Sequence, residues 1–218
     1  MFVGHLAAAI GAKTIEPKVP LGVAVAAAFG LDLLWPVLLL GGVEVVRVSP
    51  NDTAFTHLAF ESYPWSHSLV MTLVWATLAG LVTARLLKSS RLGSVVGLLV
   101  LSHWILDLVT HRPDLPLVPG GALYGLGLWN SIPATIVVEG GLFVLAAAIY
   151  LRSTRATGRP GSLGLYGLMA LCTALWLSQP WAPPPPGETA VALGALALFL
   201  LPPWAAWVEA NREARGAS

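Results

Sequence analysis

Long apolar runs alternate with short polar connections along the whole chain. Six of the runs, at about 20–41, 66–87, 93–111, 131–151, 162–178 and 188–208, come close to the roughly 20 residues that a helix needs to cross about 30 Å of hydrocarbon. A seventh, over residues 2–12, is too short to span and is followed by Lys13 and Lys18, so it reads as a half-inserted helix. The pattern predicts an all-α fold: a polytopic membrane helical bundle of about six transmembrane helices plus that short N-terminal one. Local signals set several boundaries. Ser131 is a candidate N-cap with Pro133 in the first turn behind it, Pro113 is placed to stop the third span, and Pro36 is expected to kink the first. The proline run 183–186 makes a stiff turn, and no internal repeat is evident.

Composition sharpens this picture. The 218 residues are 56% hydrophobic and 11% charged, against roughly 25% charged in soluble domains. Once six spans are counted there is no room for a separate soluble domain, which makes residues 1–218 a single integral membrane domain. Ionisable groups within the spans concentrate in residues 1–130. The half from 131 to 218 reads mainly as scaffold, since the fifth and sixth spans are nearly free of polar groups. A net charge of +1 without a dense basic cluster gives nucleic acid no footing. The single cysteine, Cys172, excludes an intrachain disulfide and a cysteine-based zinc site. The N-terminus lacks a basic leader, and its apolar run 6–10 is too short for a signal peptide, so it is expected to be retained.

Charge also gives an orientation. Lys and Arg gather at 13–18, 85–91, 152–159 and in the tail with Arg212 and Arg215. In a six-span arrangement these all fall on one side, which is expected to be cytoplasmic. The opposite side holds 43–65, which is net acidic, with 112–130 and 180–187. The expected location is the cytoplasmic membrane of a bacterium or archaeon.

The candidate chemistry centres on residues 101–114, where His103, Asp107 and His111 recur at i, i+4 and i+8 on one helix face. Ionisable groups at membrane depth are costly and mark functional sites. By helix rise, Asp32 lies about 18 Å from the cytoplasmic end of its span, His103 about 15 Å and Asp107 about 21 Å. His67 opens its span from the other interface, and His5 falls near the midplane. These five residues could meet at a site opening toward the extracytoplasmic side. Three imidazoles and two carboxylates suit zinc, manganese or iron, with zinc the first choice. They exceed the needs of one tetrahedral ion, so either a second ion binds beside the first or one carboxylate is left as general base. Asp107, Glu139 and His111 are therefore catalytic candidates. Glu139 has an outer-shell role as its alternative, and His111 a place in headgroup water. Arg112 suits an anionic headgroup, although snorkelling is the common use of such a residue. Asp114 and Asn130 are weaker loop candidates. His57 reads as ordinary surface, and Trp65, Trp104 and Trp129 as interfacial anchors or pocket wall.

Taken in order, Gly4-His5, Asp32-x-x-x-Pro36, Ser66-His67-Ser68-Leu69 and Ser102-His103-x-x-x-Asp107 resemble the YdjM-like family of membrane-bound metal-dependent hydrolases. That family is more distantly similar to zinc-dependent phospholipase C and single-strand nucleases, in which a His-x-x-x-Asp helix supplies ligands to a zinc cluster. The resemblance implies phosphoester hydrolysis. The chain departs from the family at Leu34, where a second acidic residue is often found, and at Ser62-Tyr63-Pro64, where a basic His-Arg-Gly segment is usual. The expected function is a membrane-embedded hydrolase acting on a membrane lipid or lipid-linked phosphoester by metal-activated water. Its rival is a metal-ion or proton transporter using the same residues, which would need a polar path to both faces. A heme or structural metal protein is a third alternative.

Overall fold

The computed structural model describes residues 1–50 and 52–215, and it is mostly helical. Helix α1 (Phe2–Ile15) is apolar all round, as its run of alanines and aliphatics dictates, and such a helix is stable only when enclosed. Its residues Val3, Leu6, Ala9 and Ile10 are buried against later helices, so α1 forms the centre of the bundle. The first full apolar run folds as two helices, α2 (Leu21–Ala28) and α3 (Gly30–Leu40), bent by 53°. The bend falls at Phe29, before Asp32, whereas the sequence predicts it at Pro36. Pro36 instead sits within α3, and the break occurs where Gly30 imposes no side chain and where a distant histidine takes up the carbonyl of Ala28.

A short helix α4 (Pro64–His67) precedes α5 (Leu69–Leu86), and α6 (Ser90–Thr110) returns beside it. Ser68 and Ser89 cap α5 and α6 by accepting from Met71 N and Leu92 N, each at 3.3 Å. Glycines bring these two helices into backbone contact. A Cβ on Gly93 would stand 2.5 Å from the Gly80 carbonyl oxygen and 2.7 Å from Ala84 Cβ. Close approach of this kind is the usual basis of helix pairing in lipid, where apolar burial gives little drive.

The fourth run is one continuous span made of α7 (Ile132–Thr135), a wide π turn (Ile136–Gly140) and α8 (Gly141–Ser153), and it opens at Ser131 as expected. Helix α9 (Arg159–Ser178) follows. The last run joins α10 (Glu188–Ala195) to α11 (Leu201–Ala210) through a tighter turn. Five helices are long and apolar enough to cross a membrane, or six if the bent α2–α3 pair counts as one span, which is compatible with an integral membrane protein. Leu168, Cys172 and Trp176 of α9 and Ala205 and Val208 of α11 share the core with α1 and α2.

Three antiparallel ribbons lie outside the helices: β1 (Val45–Val48) with β2 (Leu58–Ser62), β3 (Leu115–Pro116) with β4 (Leu123–Tyr124), and β5 (Thr154–Ala156) with β6 (Arg212–Ala214). The sequence reading contains no strands, because segments this short carry too few alternations to stand out from a loop. The first two ribbons lie at one end of the bundle. Arg112 Nε donates to Asp52 Oδ2 at 2.8 Å, and Phe55 N donates to the Trp129 carbonyl at 3.0 Å.

Replacing Gly93 with leucine is expected to force α5 and α6 apart at a cost of about 1–3 kcal/mol. Thermal unfolding in detergent should show a clear fall in midpoint. Leu98→Ala, on the outward face of α6, should leave the midpoint near that of the parent.

Candidate metal centre

Four separate segments each deliver one or two polar side chains to a single point in the apolar core. The first turns of α1 and α3 bring His5 and Asp32, α4 brings His67, and α6 brings His103 and Asp107 one turn apart. Asp107 Oδ1 lies 3.1 Å from His5 Nε2, and its Oδ2 lies 3.1 Å from His103 Nε2 and 3.7 Å from His67 Nε2. Asp32 Oδ1 is 3.6 Å from both His67 Nε2 and His103 Nε2, with Oδ2 4.0 Å from His5 Nε2. The rings of His5 and His103 stack, with centroids 3.7 Å apart and planes within 5°. All five residues that the sequence singles out as ligands are thus brought together.

Two triads, His5–His103–Asp107 and Asp32–His67–His103, have their donor atoms within 4.8 Å of one another, and either could hold a metal ion. Four of the five side chains are almost wholly buried. Asp32 alone has a quarter of its side chain exposed, so the cluster is open on its side.

The groups behind the rings determine what the ring nitrogens present. His103 Nδ1 lies 2.7 Å from the carbonyl oxygen of Ala28, which can only accept, so Nδ1 carries the hydrogen. In the neutral ring Nε2 is then a lone pair, and it has no hydrogen-bond partner among the described residues although it faces two carboxylates. His67 is set the same way. Glu44 accepts from Ser66 Oγ at 2.7 Å, which leaves Ser66 Oγ to accept from His67 Nδ1, also at 2.7 Å. Glu44 is buried and also takes the backbone N–H groups of Trp65 and Ser66. With both rings neutral, two imidazole lone pairs point at carboxylate oxygens, an arrangement that repels unless a proton on the ring or a cation between the groups relieves it. The amino group of Met1 also reaches the cluster, donating to Asp107 Oδ1 at 2.5 Å.

The remaining candidates stand outside this point. Helix α6 ends at Thr110 and His111 turns into extended backbone, so it leaves the face shared by His103 and Asp107. It belongs to a neighbouring cluster in which Tyr63 Oη donates to Asp114 Oδ1 at 2.8 Å and His111 Nδ1 lies 2.9 Å from the same oxygen. Burial, with the Asp114 carboxylate beside it, pushes the Tyr63 hydroxyl pKa well above the ordinary tyrosine range and keeps the group a neutral donor. Arg112 pairs with Asp52 and, at 3.5 Å, with Asp114; its hydrogen bond to Asp52 raises its pKa further. Glu139 lies fully buried behind the first turn of α1, accepting from Gly4 N at 3.2 Å, with its Oε2 unpartnered among the described residues. His57 bonds the carbonyls of Pro50 and Ala182, and Trp129 packs on the ring of His111.

The sequence reading misses Glu44, Ser66 and Tyr63. The adjacency of Ser66 and His67 is a signal for the relay, whereas Glu44 stands alone in its loop and gives none. Comparison of the chain with protein-family models, with curated proteins and with solved structures returns no match.

Ser66→Ala keeps the fold of α4 but removes the acceptor that orients His67. It is expected to weaken the affinity of the cluster for a divalent ion about 10- to 100-fold, read by competition with a chromogenic chelator. Tyr63→Phe serves as the contrast. It should cost about 1 kcal/mol of stability and leave divalent-ion affinity as it was.

Proposed function

We propose that the chain is a membrane-embedded, metal-dependent hydrolase of a lipid or lipid-linked phosphoester. The ion would be held by His5, Asp32, His67, His103 and Asp107, with zinc the leading candidate. The observation that carries this reading is the convergence of three imidazoles and two carboxylates, two of the rings oriented so that in their neutral form a lone pair faces carboxylate oxygen, with the Met1 amino group on Asp107 as the cationic partner among the described residues. Borderline nitrogen and hard oxygen donors in this ratio fit zinc, and manganese or iron after it. A divalent ion held there would supply Lewis-acid polarisation of a phosphoryl oxygen and activation of water.

The protein's own groups account for the rest. The Ala28 carbonyl and the Ser66–Glu44 relay hold two rings in one tautomer, so the donors are in place before any ligand binds. Asp32, on the open side, is the carboxylate that a substrate would meet first. A lipid is favoured over a soluble ester by an apolar groove of about 450 Å³ that runs between α2–α3, α5 and α6. Val96 and Val100 line it on the His103 face of α6, with Ala27, Leu31 and Trp75 opposite, and its walls suit a hydrocarbon chain. The ordered motifs shared with YdjM-like hydrolases point the same way, and loop charge argues for a site near the extracytoplasmic face.

The transporter reading needs a polar route through the protein. Between the cluster and the Lys13 end of the bundle, α1, α2 and α6 contribute buried Ala9, Ile10, Ala24, Val25, Val96 and Leu99, and buried polar side chains in that half, Thr83 and Tyr150, stand on α5 and α8.

Detergent-purified protein is expected to carry a divalent metal, and His103→Ala and Asp107→Ala to lose most of it. Hydrolysis of phospholipids or isoprenoid phosphates should vanish with EDTA and return with zinc. His103→Ala with an unchanged metal content would overturn the proposal. So would metal or proton flux in proteoliposomes without turnover of any ester.

A further inference from the structure

Residues 115–128, which connect α6 to the fourth span, contain no charged side chain. This is unusual for a connection at a membrane surface. The β1–β2 ribbon at the same end of the bundle carries Arg47, Asp52, His57 and Glu61. In the β3–β4 ribbon and its flanks, the exposed large side chains are Val118, Leu123, Tyr124 and Leu126, and Leu126 is 75% exposed. The segment does not extend away from the bundle. Leu126 N donates to the Leu108 carbonyl at 2.8 Å and Gly127 N to the His111 carbonyl at 2.7 Å, so the chain returns alongside the last turn of α6. Leu126 thereby reaches the level of Asp107's neighbour in the helix.

We propose that this ribbon is a lipid contact, seated among the acyl chains of the leaflet on the site's side. An irregular segment is normally excluded from hydrocarbon because its backbone N–H groups go unpaired. Here part of that objection is met. Pro113, Pro116 and Pro119 have no N–H to satisfy. Leu117 N bonds the Ala122 carbonyl at 3.3 Å, Gly121 N bonds the Val118 carbonyl at 2.9 Å, and β3 pairs with β4. The Leu117 carbonyl accepts from Val70 N at the start of α5. Gly120, with φ of +73°, makes the turn that closes the ribbon without a side chain.

The occupant follows from continuity. The ribbon joins two lipid-facing helical surfaces, marked by Ile105 on α6 and Val137 on the fourth span, and its exposed side chains extend that apolar surface. Tyr124, with one polar tip, suits the boundary between chain and headgroup. The inference is independent of the metal and of hydrolysis, since it uses neither.

The test uses single-cysteine variants of the full chain with Cys172 replaced by serine, labelled with an environment-sensitive fluorophore and placed in lipid nanodiscs. Leu126→Cys and Val118→Cys are the reporters. Leu98→Cys, in mid-helix and 64% exposed, is the lipid reference, and Arg47→Cys the aqueous one. The reporters should emit to the blue, be quenched by brominated acyl chains as Leu98→Cys is, and resist aqueous iodide. Iodide quenching to the level of Arg47→Cys, without quenching by brominated chains, would overturn the proposal. Disulfide-linked dimers through Leu126→Cys would overturn it as well, by showing a second copy on this face. Two reporters guard against a label that disturbs one position, and neither arm reads metal or turnover.

Discussion

The hydrogen bond from His103 Nδ1 to the Ala28 carbonyl joins the fold to its chemistry. Breaking a helix inside the bundle at Phe29 leaves the last carbonyls of α2 without helical partners, and an unpaired carbonyl in an apolar interior is costly. His103 supplies the missing donor from a helix remote in sequence, at 2.7 Å. The same bond decides which ring nitrogen holds the hydrogen in the neutral ring, and with it that the other then faces Asp32 and Asp107 as a lone pair. The bend therefore does two things: it turns the first residues of α3 inward so that Asp32 reaches the cluster, and it orients the histidine opposite.

Two of the other donors, His67 and His5, are held by groups that take no part in the cluster itself. His67 is oriented through Ser66 by Glu44, which also caps the first amides of α4. The first turn of α1, which carries His5, is held by Glu139 through the Gly4 amide. A buried polar network is stable only when nearly all its members are satisfied, and it then admits few arrangements. The apolar packing of α1 against α2, α6, α8 and α9 provides the bulk of the cohesion, and these few directional bonds fix the geometry.

Much of this was legible in the chain, for a physical reason. Crossing a membrane demands long apolar runs, so hydropathy alone outlines the helices, and Ser131 and Pro133 mark one start by local chemistry. Ionisable residues inside such runs are conspicuous because they are costly, which is how His5, Asp32, His67, His103 and Asp107 stand out before any coordinates. What was not legible depends on partners distant in sequence. Pro36 looks like the natural kink, yet the bend sits where His103 can reach a carbonyl. His111 keeps the spacing of a shared face. Pro113 disfavours helix at the residue before it, and the pull of Asp114 and Tyr63 then takes the ring elsewhere. Glu44 is one carboxylate in a polar loop, and only the folded chain places it behind Ser66.

The π turn at Ile136–Gly140 shows how a span can hold a buried carboxylate and still face lipid. Such a widened turn has the form of a single-residue insertion accommodated within an α-helix. It lets Glu139 point at α1 while Val137 and Val138 beside it are turned outward. Because the wide turn absorbs the extra residue, excising one residue there would restore regular bonding with the flanking turns close to register, and what would be lost is the inward placement of Glu139 on the Gly4 amide. The extra residue is therefore a local device: it serves the carboxylate facing α1 and leaves the lipid-facing pattern on either side of it unchanged.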